Sequence, residues 1–114
     1  MGESALYPQV TDDMLEEAVQ RVLQAGSPIK IVLFGSHARG EGRLDSDVDV
    51  LIVEESELPR HKRSIPYYRA LKDACFGKDI VVWTPAEIAE WADVPNAFVT
   101  TALRDGRTLY ERPC

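Results

Sequence analysis

Between Ile31 and Val53 the chain reads IVLFGSHARGEGRLDSDVDVLIV, and this stretch leaves few folds open. Ile31-Val32-Leu33-Phe34 is continuously apolar, the pattern of a strand covered on both faces. It runs directly into Gly35-Ser36 and a basic, glycine-punctuated segment, His37 to Arg43. A second apolar run, Val48 to Val53, follows, with Asp47 and Asp49 at its mouth. Strands buried on both faces need helices on both sides, which indicates an α/β sandwich around a small sheet. Two carboxylates on such a strand are out of place unless they bind something.

The flanking sequence supplies the helices. Thr11 can cap a helix whose first turn holds Asp12 and Asp13, and Leu15, Ala18, Val19, Val22 and Leu23 give it one apolar face. Gly26 and Pro28 end it. Strand one spans about Lys30 to Phe34, and residues 36–42 form a short helix or turn. After strand two, a polar connection runs from Glu54 to Ser64. Ser64 then caps a helix that continues to Gly77, with Tyr68, Leu71, Ala74 and Cys75 facing inward. Strand three is Asp79 to Trp83. Thr84 caps a helix to about Trp91, Pro95 starts a last helix stopped by Gly106, and Thr108-Leu109-Tyr110 adds an edge strand. The order is αβαβαβαα, in one domain over residues 1–114 with a loose leader at 1–10. Connections this short cannot all join parallel strands, so the sheet is expected to be mixed.

The chemistry is concentrated in the central stretch. Side chains alternate along a strand, so Asp47 and Asp49 point to the same face. Two carboxylates about 6 Å apart repel by roughly 3 kcal/mol at an effective dielectric near 20, and sharing a divalent cation relieves this. A few hard oxygen ligands with open positions suit Mg²⁺. Gly35 and Ser36 after a strand offer backbone N–H groups and a hydroxyl to an anion, and Arg39 can pair with a phosphate oxygen. Ser46 can fix the start of strand two. If strand three lies beside strand two, Asp79 joins the other two carboxylates. Three carboxylates at one sheet edge can hold two cations about 3.5–4 Å apart, and Asp79 is then also the natural general base. The chain lacks the G-x-x-x-x-G-K-[ST] loop and the third glycine of a dinucleotide fingerprint.

Gly35, Ser36, Arg39, Gly40, Ser46, Asp47, Asp49 and Asp79 together resemble the DNA polymerase β-like nucleotidyltransferase superfamily. GSHARGEGRLDSDVDVLIV is especially similar to its minimal nucleotidyltransferase (MNT) branch, and the likeness extends to Asp105-Gly106-Arg107-Thr108-Leu109-Tyr110. The resemblance implies a mixed sheet flanked by helices. It further implies two Mg²⁺ ions held by Asp47, Asp49 and Asp79, ATP as nucleotide donor, and transfer of a nucleoside monophosphate to a hydroxyl. Small MNT proteins resemble the antitoxins of HEPN–MNT toxin–antitoxin pairs, which adenylylate a tyrosine of a partner HEPN ribonuclease toxin. A non-catalytic antitoxin acting by contact, and a drug-modifying nucleotidyltransferase, stand as alternatives.

The 13 basic and 19 acidic residues give a net charge of −6, which disfavours extended contact with nucleic acid. No apolar run is long enough to span a membrane, and the N-terminus lacks a signal-peptide core. Cys75 and Cys114 make no metal spacing and read as a buried small residue and a tail thiol, fitting a reducing cytoplasm. His37 is expected to be a solvated turn residue, and Arg60-His61-Lys62-Arg63 a solvated loop. Trp83 and Trp91 suit either core packing or a partner surface, while Tyr67 and Tyr68 divide between surface and core.

Overall fold

In the computed structural model, residues 10–35, 37, 38, 40, 47–74, 76–94 and 97–113 are described. Their elements are α1 (Asp12–Ala25), β1 (Lys30–Phe34), β2 (Val48–Val53), α2 (Arg60–Arg63), α3 (Ile65–Ala70), β3 (Lys78–Trp83), α4 (Pro85–Trp91), α5 (Phe98–Asp105) and β4 (Arg107–Glu111). The strands form one sheet in the order β3-β2-β1-β4. β1 pairs antiparallel with both β2 and β4, whereas β2 and β3 run parallel. The sheet is therefore mixed, as the short connections require. Only the β2-to-β3 link must cross over, and it carries α2 and α3.

Alternation along the strands divides the core in two. Ile31, Leu33, Val48, Val50, Ile52, Ile80 and Val82 face one way, and pack against Leu15, Val19 and Val22 of α1 and Tyr67 and Leu71 from α3 and its end. Val32, Leu51 and Trp83 face the other way, against Val99 and Ala102 of α5. β2 contributes to both layers, which is why its sequence is almost unbroken apolar.

Thr11 accepts a hydrogen bond from the Met14 N–H at 3.2 Å and caps α1 as expected. Thr84 and Glu87 form a reciprocal capping box at the start of α4, with bonds of 3.0 and 3.2 Å. Gly26 ends α1 in extended rather than left-handed backbone. The reason for glycine is space, since a β-carbon there would collide with the Tyr67 hydroxyl. That hydroxyl donates to Glu54 at 2.6 Å, and Glu54 also accepts from the Ser27 N–H at 2.9 Å. Burial and the Glu54 carboxylate both hold the Tyr67 phenol protonated, above its ordinary range.

Several expectations need correction between residues 54 and 77. The connection after β2 is not wholly irregular, because Arg60–Arg63 makes a helical turn. Ser64 lies in helical backbone and makes no side-chain cap. α3 stops at Ala70, where Leu71 leaves helical geometry and its carbonyl accepts from Lys78 Nζ at 2.8 Å. The helix is thus too short to sustain the inward phase from Tyr68. Leu71 is buried as expected, but its buried neighbour one turn earlier is Tyr67, and Tyr68 is exposed while its hydroxyl accepts from the Ile80 N–H at 2.8 Å. The basic cluster is not merely solvated either. Arg63 donates to Glu87 at 2.6 Å and to the carbonyls of Leu58 and Val82, and Arg60 lies 4.0 Å over the Trp83 ring. Trp83 is buried and Trp91 exposed. The last helix is described over Phe98–Asp105, and the expected start at Pro95, with residue 96, Cys75 and Cys114, lies outside the described residues. No helix among the described residues is long and apolar enough to cross a membrane.

Candidate functional site

The antiparallel turn from β1 to β2, and the parallel return to β3, bring three chain segments to one sheet edge. β1 arrives there at Phe34, β2 leaves it at Val48, and β3 leaves it at Lys78. Phe34 is the register partner of Asp49, and Asp49 is the register partner of Asp79. Asp79 therefore does lie beside strand two, on the face shared by Leu51 and Trp83. Asp47 stands at the mouth of β2, exposed, as is Asp79; Asp49 between them is half-buried.

Two glycines make room for these carboxylates. Gly35 has φ +78°, a left-handed backbone that side chains disfavour. A β-carbon at Gly35 would also overlap Oδ2 of Asp49. Gly77, directly before β3, has the same relation to Asp47, whose Oδ1 occupies the space a β-carbon would need. The sequence marked Gly77 only as a helix stop; its closeness to Asp47 required the β2–β3 pairing, which also places the Val48 N–H 2.8 Å from the Gly77 carbonyl.

Burial raises the Asp49 carboxyl above its ordinary range, and the negative charges of Asp79 and Asp47 raise it further, while His37 opposes the shift. Asp49 thus feels both of the other carboxylates. His37 is itself buried, contrary to the solvated position expected. It lies in the turn after Gly35, where the Ala38 N–H reaches the Gly35 carbonyl at 3.1 Å and the Gly40 N–H reaches the His37 carbonyl at 3.2 Å. The imidazole is close enough to Asp49 for its charge to act on that carboxyl. Ser36, Arg39 and Ser46 lie outside the described residues. Among the described residues, no group of three or more His, Cys, Asp or Glu side chains is gathered tightly enough to hold a metal ion. The donor set nonetheless fits a hard divalent cation in its chemistry: it is all oxygen, and positive charge placed there would offset the burial and the neighbouring carboxylates that raise the Asp49 carboxyl.

A groove of about 590 Å³ opens beside the same loop. Phe34, Gly35 and Ala38 line one side, and Phe98, Thr101, Ala102, Asp105 and Gly106 the other. In the linear sequence Phe98 is an ordinary apolar helix residue. Its place beside Gly35 follows from how α5 crosses β1.

The nucleotidyltransferase domain family matches residues 15–104, which take in β1, β2, β3 and the whole carboxylate edge. A bifunctional uridylyltransferase/uridylyl-removing enzyme of Methylococcus capsulatus is 34% identical over 101 residues, covering 86% of this chain. The chain spans only 11% of that enzyme's length. A candidate nucleotidyltransferase from Sulfolobus solfataricus has the same fold, with a TM-score of 0.59 at 21% identity over 88% of this chain and 79% of that one. A glycine turn against paired strand-borne carboxylates, in a sheet of this topology and with this match over most of its length, places the chain in the nucleotidyltransferase domain family.

Proposed function

We propose that this nucleotidyltransferase domain transfers AMP from ATP to a protein hydroxyl, a tyrosine of a partner HEPN ribonuclease toxin, and thereby acts as its antitoxin. The observation that carries the transfer chemistry is the register of Asp49 with Asp79 beside Gly35. Nucleotidyltransferase domains generally use a nucleoside triphosphate and a divalent metal, and Asp47, Asp49 and Asp79 are the residues that would hold Mg²⁺. Bound there, the metal supplies positive charge to the phosphates and to the leaving pyrophosphate. Gly35 binds and orients the triphosphate, a role that the sequence likeness extends to Ser36, Arg39 and Ser46. Asp79 takes the proton of the acceptor hydroxyl as its oxygen bonds to the α-phosphorus and the bond to the β-phosphate oxygen breaks, releasing pyrophosphate. Asp79 is exposed, which leaves it open to a hydroxyl on another protein. The toxin partner and the acceptor tyrosine rest on the sequence likeness to MNT antitoxins.

A second donor, UTP, is favoured by the similarity to the uridylyltransferase. One experiment separates these readings. The chain is incubated with Mg²⁺, α-labelled ATP or UTP, and the product of a neighbouring reading frame encoding a small helical protein. Label from ATP on a tyrosine of that protein, lost with Asp47→Ala plus Asp49→Ala, is the expected result. Label from UTP alone would replace the donor. Toxin neutralised without label would replace transfer with inhibition by contact.

A further inference from the structure

Phe98 is 47% exposed, an unusual position for an aromatic ring whose neighbours are core residues. The ring is nonetheless held in place. The Phe34 ring meets it edge-to-face, with centroids 5.2 Å apart and planes at 79°. Trp83 lies 6.4 Å away on the core side, itself fixed under the Arg60 guanidinium. The result is a rigid, half-open aromatic face at the rim of the groove. From Phe98 the groove follows one side of α5 through Thr101, Ala102 and Asp105, spaced as a single helical face.

Gly35 belongs to both the groove and the carboxylate edge, since Oδ2 of Asp49 presses on it and it also lines the groove wall. A ligand anchored by phosphates at Gly35 and the carboxylates must continue somewhere, and the groove opens at that point. Its volume of about 590 Å³ is that of a small-molecule pocket. We propose that the groove takes the nucleoside of the donor triphosphate, with Phe98 as the face on which the base stacks. Stacking on an aromatic side chain tolerates any base, so this platform supplies affinity without selecting the donor. The inference rests on the transfer reading above.

Calorimetric titration of the full chain with ATP, and separately with inorganic tripolyphosphate, in Mg²⁺ tests it. Phe98→Leu keeps an apolar side chain against Phe34 and Trp83 but removes the π-face, and Phe98→Trp restores one. The expected result is a loss of roughly 5- to 150-fold in ATP affinity for Phe98→Leu, with tripolyphosphate affinity unchanged and Phe98→Trp close to wild type. In turnover, KM for the nucleotide rises while kcat holds. Wild-type ATP affinity in Phe98→Leu would overturn the inference and leave the transfer reading standing. Equal losses for both probes would also overturn it, because the ring would then only support the loop. A wild-type chain that binds neither probe would remove the transfer reading and this inference together.

Discussion

The two faces of the sheet are built from the same strands and do different work. Towards α1 and α3, β2 sends Val48, Val50 and Ile52, all buried in an apolar cluster. Towards α4 and α5, the same strand sends Asp49, Leu51 and Val53, and only the far part of that face is core. Near the end where β1 arrives and β2 and β3 leave, helical cover gives way to the groove and the three carboxylates. One face stabilises the sheet, so the other can tolerate repelling charges at its edge. Marginal stability makes such a division necessary, because a few kcal/mol of repulsion is a large share of the total.

The sharpest break of this comparison is a pair of substitutions on adjacent strands. Asp79→Asn is expected to lower transfer by about 10²- to 10⁴-fold, with the thermal midpoint unchanged or higher, measured by labelled product and by melting. Ile52→Ala, on the α1-facing side, should cost about 2–5 kcal/mol in denaturant unfolding while the surviving folded protein transfers at its normal rate. A collapse of kcat in folded Ile52→Ala would show that the faces are not separable.

Gly35→Ala joins both effects at one position. Left-handed backbone costs a side chain about 1–2 kcal/mol, and the added methyl displaces Asp49. Stability and transfer should fall together, unlike in either variant above. Asp49→Asn sharpens the contrast in the opposite direction. The folded state holds the Asp49 carboxyl above its ordinary range, so the repulsive cost is present once the group is ionised and is relieved as pH falls. The amide should abolish transfer and raise the melting temperature at neutral pH, as removal of active-site strain commonly does.

The smallest effect lies where α2 meets α4. Hydrogen bonding from Arg63 holds Glu87 at about 2, below its ordinary 4.5. A depressed carboxylate contributes stability that is complete above about 4.5 and is lost as pH falls towards 2. Because Glu87 is partly exposed, the contribution is about 1–2 kcal/mol after screening. A melting series over that range should fall less steeply for Glu87→Gln than for wild type. Parallel curves would make the Arg63 pair energetically idle.

Much of this was legible in the sequence because it depends on local rules. Lys30–Phe34, Val48–Val53 and Pro85–Trp91 lie where the apolar runs and the Thr84 cap put them. Alternation alone put Asp47 and Asp49 on one face, and the mixed sheet followed from loop length. The misreadings share a cause. The two tyrosines do divide between core and surface, but the inward placement of Tyr68 failed where α3 breaks, and the setting of Arg60 and Arg63 depended on Glu87 and Trp83, remote in sequence. His37 and Phe98 look ordinary in a linear chain, and gained their settings from the folding of the Gly35 turn and the crossing of α5 over β1.

The sequence by itself determined the strands, the alternation and the acidic mouth of β2, since these follow from the two-residue period and from which residues can be buried. Only the tertiary structure decided that Asp79 stands in register with Asp49, that Gly77 makes room for Asp47, and that an aromatic groove opens beside Gly35. Those are pairings between distant segments, set by sheet order and helix crossing, and no local propensity encodes them.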